Sequence, residues 1–263
     1  MNSSLVFVAN WKMGFSFNQT VEFVTNHYKE LATLSRNHQV ILCPLSMALP
    51  DSDNILKGTT ISLGAQDCSN YAHGAYTGQI SAESIKQAGA QFCIIGHSER
   101  RKYNNETNEI IAQKLVQLLD QEITPIICIG ETLEQFNNNQ TVQVLEEQLA
   151  AIFEIIQERE TQNKLSKNNK YIFIAYEPVW SIGTGLIPNP ENLTLIFAQL
   201  HEKTQNSSSS IVWRLLYGGS VKSDNVKSLA LIRHLGGFLI GGASLDFQEL
   251  KKIVECNDER ICG

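Results

Sequence analysis

Short apolar runs punctuate the chain at residues 5–9, 40–43, 60–63, 92–95, 125–129, 171–175, 211–216 and 238–240. Each is rich in β-branched or aromatic residues and bounded by turn formers, the pattern of strands buried on both faces. The segments between them repeat with helical period, as in Val21, Val24, Tyr28 and Leu31, then Ile111, Leu115 and Leu118, and finally Phe247, Leu250 and Val254. Helix starts are marked by Asn189 before Pro190 and by Asp246 three residues before Glu249, side chains that can satisfy otherwise orphaned amides. Gly89 ends a short helix before the strand that begins near Phe92. Eight strand–helix alternations imply a parallel sheet, either doubly wound or closed into a barrel. No GxGxxG follows the first strand, so a dinucleotide-binding sheet loses its main support.

Length and composition narrow this further. The 263 residues fit one α/β barrel domain, residues 1–263, and the polar tracts at 137–139 and 207–210 read as loops rather than linkers. Hydrophobic residues at 43% suffice for a sizeable core. A net charge of −6 with no run of Lys and Arg argues against nucleic acid or an anionic membrane as partner. Six cysteines without a CxxC pair, four of them in or beside the apolar runs, read as reduced, buried thiols. The short N-terminal apolar run, with no basic segment before it, fits neither a signal peptide nor a membrane span, so a cytoplasmic location is expected. The six histidines show no ligand spacing, and no metal or cofactor is expected.

Polar residues that follow the strands are the candidate chemistry. Asn10 and Lys12 follow strand one, His97 strand four, Glu131 strand five, Glu177 strand six, Ser220 strand seven, and Gly241-Gly242 strand eight. In a barrel these positions all open on the C-terminal face, where such folds build active sites. Gly218-Gly219-Ser220 and Gly241-Gly242, followed by helix N-termini, can bring backbone amides close to a phosphate, and Gly183 in Gly183-Thr184-Gly185 can add a donor. Either glycine pair alone makes an ordinary tight turn; two pairs in these two loops point to an anion site. Glu177, directly after an apolar strand, can be held partly desolvated as a strong base, whereas alone it reads as a solvated loop residue.

Asn10-Trp11-Lys12, Ile95-Gly96-His97-Ser98-Glu99-Arg100-Arg101, Tyr176-Glu177-Pro178-Val179-Trp180 with Ile182-Gly183-Thr184-Gly185, Tyr217-Gly218-Gly219-Ser220-Val221 and Gly241-Gly242-Ala243-Ser244-Leu245 together resemble the triosephosphate isomerase family, in order and spacing, over residues 5–254. The resemblance implies a (β/α)8 barrel, with eight parallel strands inside a ring of helices, that isomerises a small triose phosphate in central carbon metabolism. It implies Glu177 as the base, His97 as the electrophile that shuttles protons, Lys12 as the fixed positive charge, and Asn10 with Gly183, Ser220, Gly241 and Gly242 as substrate-binding residues. A neutral His97 at a helix N-terminus would follow a pattern of which this family is itself a type example. Glu99 would link Lys12 to a subunit interface, residues 178–185 would form a mobile lid, and residues 69–81, with Thr77 at the tip, would enter a second subunit of a homodimer. Gln79 stands where many members carry Glu, Leu186 where many carry Lys, and Ser181 where many carry Ala. The rivals are another phosphosugar isomerase and a catalytically inactive phosphate-binding barrel; Lys12, His97 and Glu177 together speak against both.

Overall fold

The computed structural model describes residues 4–168, 170–185 and 187–255. Eight strands, β1 (Val6–Asn10), β2 (Gln39–Cys43), β3 (Ser62–Ala65), β4 (Phe92–Ile95), β5 (Thr124–Ile129), β6 (Tyr171–Tyr176), β7 (Val212–Tyr217) and β8 (Leu235–Ile240), close into one barrel in sequence order. Every neighbouring pair is parallel, including β8 against β1, so all eight C-terminal ends open on the same face. The doubly wound alternative is thereby excluded.

Side-chain alternation along each strand sorts the core into two compartments. Val6, Val8, Ile41, Cys43, Ile94, Ile126, Cys128, Phe173, Ala175, Leu216 and Leu239 fill the barrel interior. Phe7, Ala9, Leu42, Ile127, Ile174 and Tyr176, the alternate positions, face the helices. Carried one step past the interior set, the same period places Asn10 above Val8 and Glu177 above Ala175, both on the inner side of the open face.

The helices complete the outer compartment. In α1 (Phe17–Leu34) the buried stripe is Thr20, Phe23, Val24, Leu31 and Leu34; Val21, expected to face the core, is only half buried. Its start is a capping box in which Ser16 accepts from the Gln19 amide and Gln19 accepts from the Ser16 amide. In α2 (Leu49–Leu56) Leu49 and Leu56 are buried, and α3 (Ala82–Gln87) exits through Gly89, whose φ of +96° suits the helix end foreseen there. Short α4 (Ser98–Asn104) and longer α5 (Asn108–Asp120) follow β4, and α5 buries Ile111, Leu115 and Leu118 as expected. Beyond β5 come α6 (Leu133–Asn137) and α7 (Thr141–Thr161). Asn189 caps α8 (Pro190–Ser207) by accepting from the Glu191 amide, and α9 (Val226–Leu229) is a single turn. In α10 (Phe247–Glu255) Phe247, Leu250 and Val254 are buried, and Asp246 accepts from the Glu249 amide. No helix of the described residues is long and apolar enough to cross a membrane.

Two strands differ from the sequence expectation by more than one residue. β3 spans Ser62–Ala65 rather than 60–63: its pairing with β2 begins at Ser62, and its pairing with β4 at Gly64 and Ala65 carries it toward the open face. β8 begins at Leu235 and includes Gly236 and Gly237, which carry no apolar signal. An irregularity in the β7–β8 register admits the extra glycine: Leu215 pairs with Leu235 and Leu216 with Gly237. Gly237 then meets the β1 backbone so closely that an added Cβ would lie 2.0 Å from the Val6 carbonyl oxygen. Gly237→Ala is therefore expected to pry apart the strands that close the barrel, costing about 3 kcal/mol. Thermal denaturation checks this, and a melting temperature unchanged from the parent would show that the seam is not tight.

Candidate active site

All eight residues singled out as site candidates, Asn10, Lys12, His97, Glu177, Gly183, Ser220, Gly241 and Gly242, line one cavity of about 340 Å³ at the open face. The barrel brings them there from five strand ends that are far apart in sequence.

Lys12 is held in a strained backbone. Its φ is +49°, a region that costs a non-glycine residue about 1–3 kcal/mol and persists only where the surroundings over-determine it. The Asn10 side chain accepts from the Lys12 amide at 3.1 Å, and Gln66 Nε2 donates to the Lys12 carbonyl at 2.8 Å and to the Cys43 carbonyl at 3.0 Å. At the far end Nζ meets Glu99 Oε1 at 2.7 Å. Glu99 thus pairs with Lys12, while its neighbour Arg100 pairs with Asp67 at 2.8 Å and Glu106 at 2.7 Å.

His97 caps α4: Nδ1 accepts from the Glu99 amide at 3.2 Å. A ring nitrogen that accepts carries no proton, so this network assigns the proton to Nε2, which lies 3.3 Å from Glu177 Oε1. The imidazole is neutral in this arrangement and directs its N–H at the cavity.

Glu177 is buried, with 2% of its surface exposed. Its Oε2 accepts from the Ser98 amide at 3.3 Å, and its own amide donates to the Ile129 carbonyl at 2.7 Å. Gly130 makes that approach possible, since a Cβ there would fall 1.8 Å from the Glu177 carbonyl oxygen. Below the carboxylate, burial first and then the Glu177 charge push the Cys128 thiol far up, keeping it protonated.

The glycine turns frame the opposite wall. A 3-10 turn, Gly242–Leu245, starts at the second of the Gly241-Gly242 pair, and Gly241, Gly242 and Ala243 line the cavity there. After β7 the expectation is met less closely: the helix begins only at Val226, and Gly218-Gly219-Ser220 present a turn. Lys222, which drew no notice in the sequence, adds a positive charge to the lining.

Glu131, Gln66 and Ser98 are the other residues the sequence reading left without a role. Glu131 is fully buried, and its Oε1 accepts from Trp180 Nε1 at 2.9 Å and Tyr176 Oη at 3.1 Å, tying the start of the 178–185 segment to β5. Burial, opposed by the Trp180 and Tyr176 hydrogen bonds, raises its carboxyl above the ordinary value. Position after a strand was the only signal for Glu131; Gln66 and Ser98 act through contacts that no spacing announces.

The four cysteines of the described residues, Cys43, Cys68, Cys93 and Cys128, are free and buried. Leu186, Cys256 and Cys262 lie outside the described residues.

A family model described as triosephosphate isomerase matches residues 5–257. Proteins named triosephosphate isomerase are similar along nearly their full length. That of Endomicrobium trichonymphae is 37% identical over 257 residues, covering 94% of this chain and 96% of that protein. That of Nitrosococcus oceani is 38% identical, covering 97% and 99%. That of Bdellovibrio bacteriovorus is 38% identical over 253 residues, covering 94% and 98%.

The Glu131 carboxyl generates a pH-dependent prediction. Its folded value lies above the ordinary 4.5, so the stability it contributes is full below 4.5 and is lost as pH rises through the raised value. Glu131→Gln keeps an acceptor for Trp180 and Tyr176 and removes the buried charge. It is expected to raise the melting temperature at about pH 7 and to give little gain near about pH 4.5; equal shifts at both pH values would trace the effect to packing.

Proposed function

Because the chain belongs to the triosephosphate isomerase family, it interconverts dihydroxyacetone phosphate and glyceraldehyde 3-phosphate, and we propose that Glu177, His97 and Lys12 carry out the proton transfer. Glu177 leaves the Ser98 amide, removes a proton from the substrate carbon beside the carbonyl, and returns it to the neighbouring carbon. The intermediate enediolate carries negative charge on oxygens that are neutral in the substrate. Donors fixed in advance therefore stabilise the transition state more than the ground state.

His97 is the electrophile in this reading. Its Nε2 proton faces the cavity while the Glu99 amide holds Nδ1, so the ring can give a proton to one substrate oxygen and recover one from the other. Lys12 supplies a cation that its constrained backbone keeps from wandering, and Asn10 both buttresses that backbone and lines the cavity. Gly183, Ser220, Gly241 and Gly242 bind the phosphate. Closure of the 178–185 segment excludes water, in which a freed enediol phosphate would eliminate phosphate. The observation that carries this reading is the 3.3 Å contact between Glu177 and His97 inside a cavity lined by glycine turns.

We propose also that two copies associate through residues 69–81. Tyr71 and Tyr76 stack with ring centroids 3.8 Å apart, which pre-shapes this loop, and the Ser69 hydroxyl donates to Gln79, closing its base. Gln79 thus finds a partner within its own loop. A cavity of about 800 Å³ runs from Lys12 and Glu99 past Met13 and Tyr103, exposed apolar side chains that a second copy would cover. A cytoplasmic location fits the four free thiols of the described residues.

Glu177→Gln is expected to lower kcat by about 10²–10⁴-fold with little change in KM, measured with a coupled dehydrogenase assay. Retention of full activity would remove Glu177 from the base role. Gln66→Leu frees the Lys12 backbone and is expected to lower kcat/KM by about 10-fold or more without altering the melting temperature by more than a few degrees. An unchanged kcat/KM would show that Lys12 needs no such support. Sedimentation at micromolar concentration is expected to give a dimer; a monomer peak would contradict the proposed association.

A further inference from the structure

One charged side chain at the site has no role in the reaction just described. Lys222 lines the same cavity as Lys12 and Glu177, the other charged residues of that lining. It is exposed, and among the described residues no carboxylate pairs with its ammonium. Lys12, by contrast, meets Glu99 at 2.7 Å. Once Glu177 is ionised, as a base must be, Lys12, Glu99 and Glu177 together leave a net negative charge at the mouth of a chain whose formal charge is −6. A phosphate dianion approaching that mouth meets repulsion unless Lys222 offsets it.

An unpaired surface lysine is ordinary, and its stem alone can cover apolar surface. This one starts from a turn whose position is fixed. The Lys222 amide donates to Asn225 Oδ1 at 3.0 Å, and the Lys222 carbonyl accepts from the Asn225 and Val226 amides at 3.2 and 3.0 Å. Asn225 Nδ2 in turn donates to the Ser220 carbonyl at 3.1 Å, tying the lysine to the residue proposed above to bind phosphate. From α10, Glu249 accepts from the Ser223 amide at 2.8 Å and from the Ser223 hydroxyl at 3.0 Å, so the neighbouring carboxylate is engaged with the turn. The backbone is thus pinned while the ammonium is left to a ligand.

We propose that Lys222 is a substrate-binding residue, whose ammonium draws the phosphate dianion to the cavity and pairs with it at the rim. A cation in a cleft raises the local concentration of an anionic substrate, and salt weakens that effect. Lys222 acts on capture and leaves the proton transfer at Glu177 and His97 unchanged. This proposal rests on the isomerase reading given above and deepens it.

The test compares the parent with Lys222→Met, which keeps an apolar stem without the charge, and Lys222→Arg, which keeps the charge. Steady-state kinetics with glyceraldehyde 3-phosphate and competitive inhibition by inorganic phosphate are measured from about 0.01 M to about 1 M sodium chloride. At the low end Lys222→Met is expected to lower kcat/KM roughly three- to tenfold through KM, with kcat unchanged, and to weaken phosphate inhibition by a similar factor. The deficit is expected to shrink below about twofold at the high end, where the screening length is about 3 Å. Lys222→Arg is expected to stay within about twofold of the parent throughout. A Lys222→Met variant equal to the parent at low salt would overturn the proposal. So would a loss that is the same at every salt concentration, or one that Lys222→Arg shares in full, since either would mark the lysine as structural. A parent without isomerase activity would fail the functional reading, whereas an active parent matched by Lys222→Met at low salt would fail only the role of Lys222.

Discussion

The site depends on the seam where β8 meets β1. Seven parallel pairings would leave an open sheet whose loops fan out along an edge; the eighth bends the sheet into a ring and gathers the loops at one mouth. Gly236 and Gly237 permit that contact, the one by entering the β7–β8 irregularity and the other by letting the Val6 backbone lie against it. Once the ring is closed, the two-residue period of the strands determines which side chains look inward. Asn10 and Glu177 reach the mouth as the next inward positions above Val8 and Ala175.

What the mouth holds differs in kind from what the walls hold. The walls are apolar and built from paired parallel strands. The mouth concentrates features that cost free energy: a lysine at φ +49°, a buried carboxylate at Glu177, and a buried Glu131 with one oxygen lacking a hydrogen bond. Such features persist because the closed ring over-determines their positions, and a site with fixed dipoles and charges is what stabilisation of an enediolate requires.

Much of this was legible in the sequence, for identifiable reasons. Strands buried on both faces announce themselves as apolar runs, so all eight were found, and the barrel gathers the polar residues that end five of them around one cavity. The start of β8 was missed because Gly236 and Gly237 look like a turn; their role appears only when the packing against Val6 is seen. Gln66 was missed because its work is done through two carbonyls, of Lys12 and Cys43, brought together by tertiary structure. Ser98 serves through its amide, which every residue but proline owns, so its side chain gave no hint.

The central claim is that one buried carboxylate moves a proton between adjacent carbons through an enediolate. Running the reaction from dihydroxyacetone phosphate in deuterium oxide and examining the glyceraldehyde 3-phosphate by proton NMR tests it most directly. A carboxylate base exchanges its captured proton with solvent while the intermediate lives, so product carrying deuterium at the carbon next to the aldehyde is the result this account predicts. Product formed at full rate with no deuterium there would contradict it, pointing to transfer of hydrogen that never passes through the base.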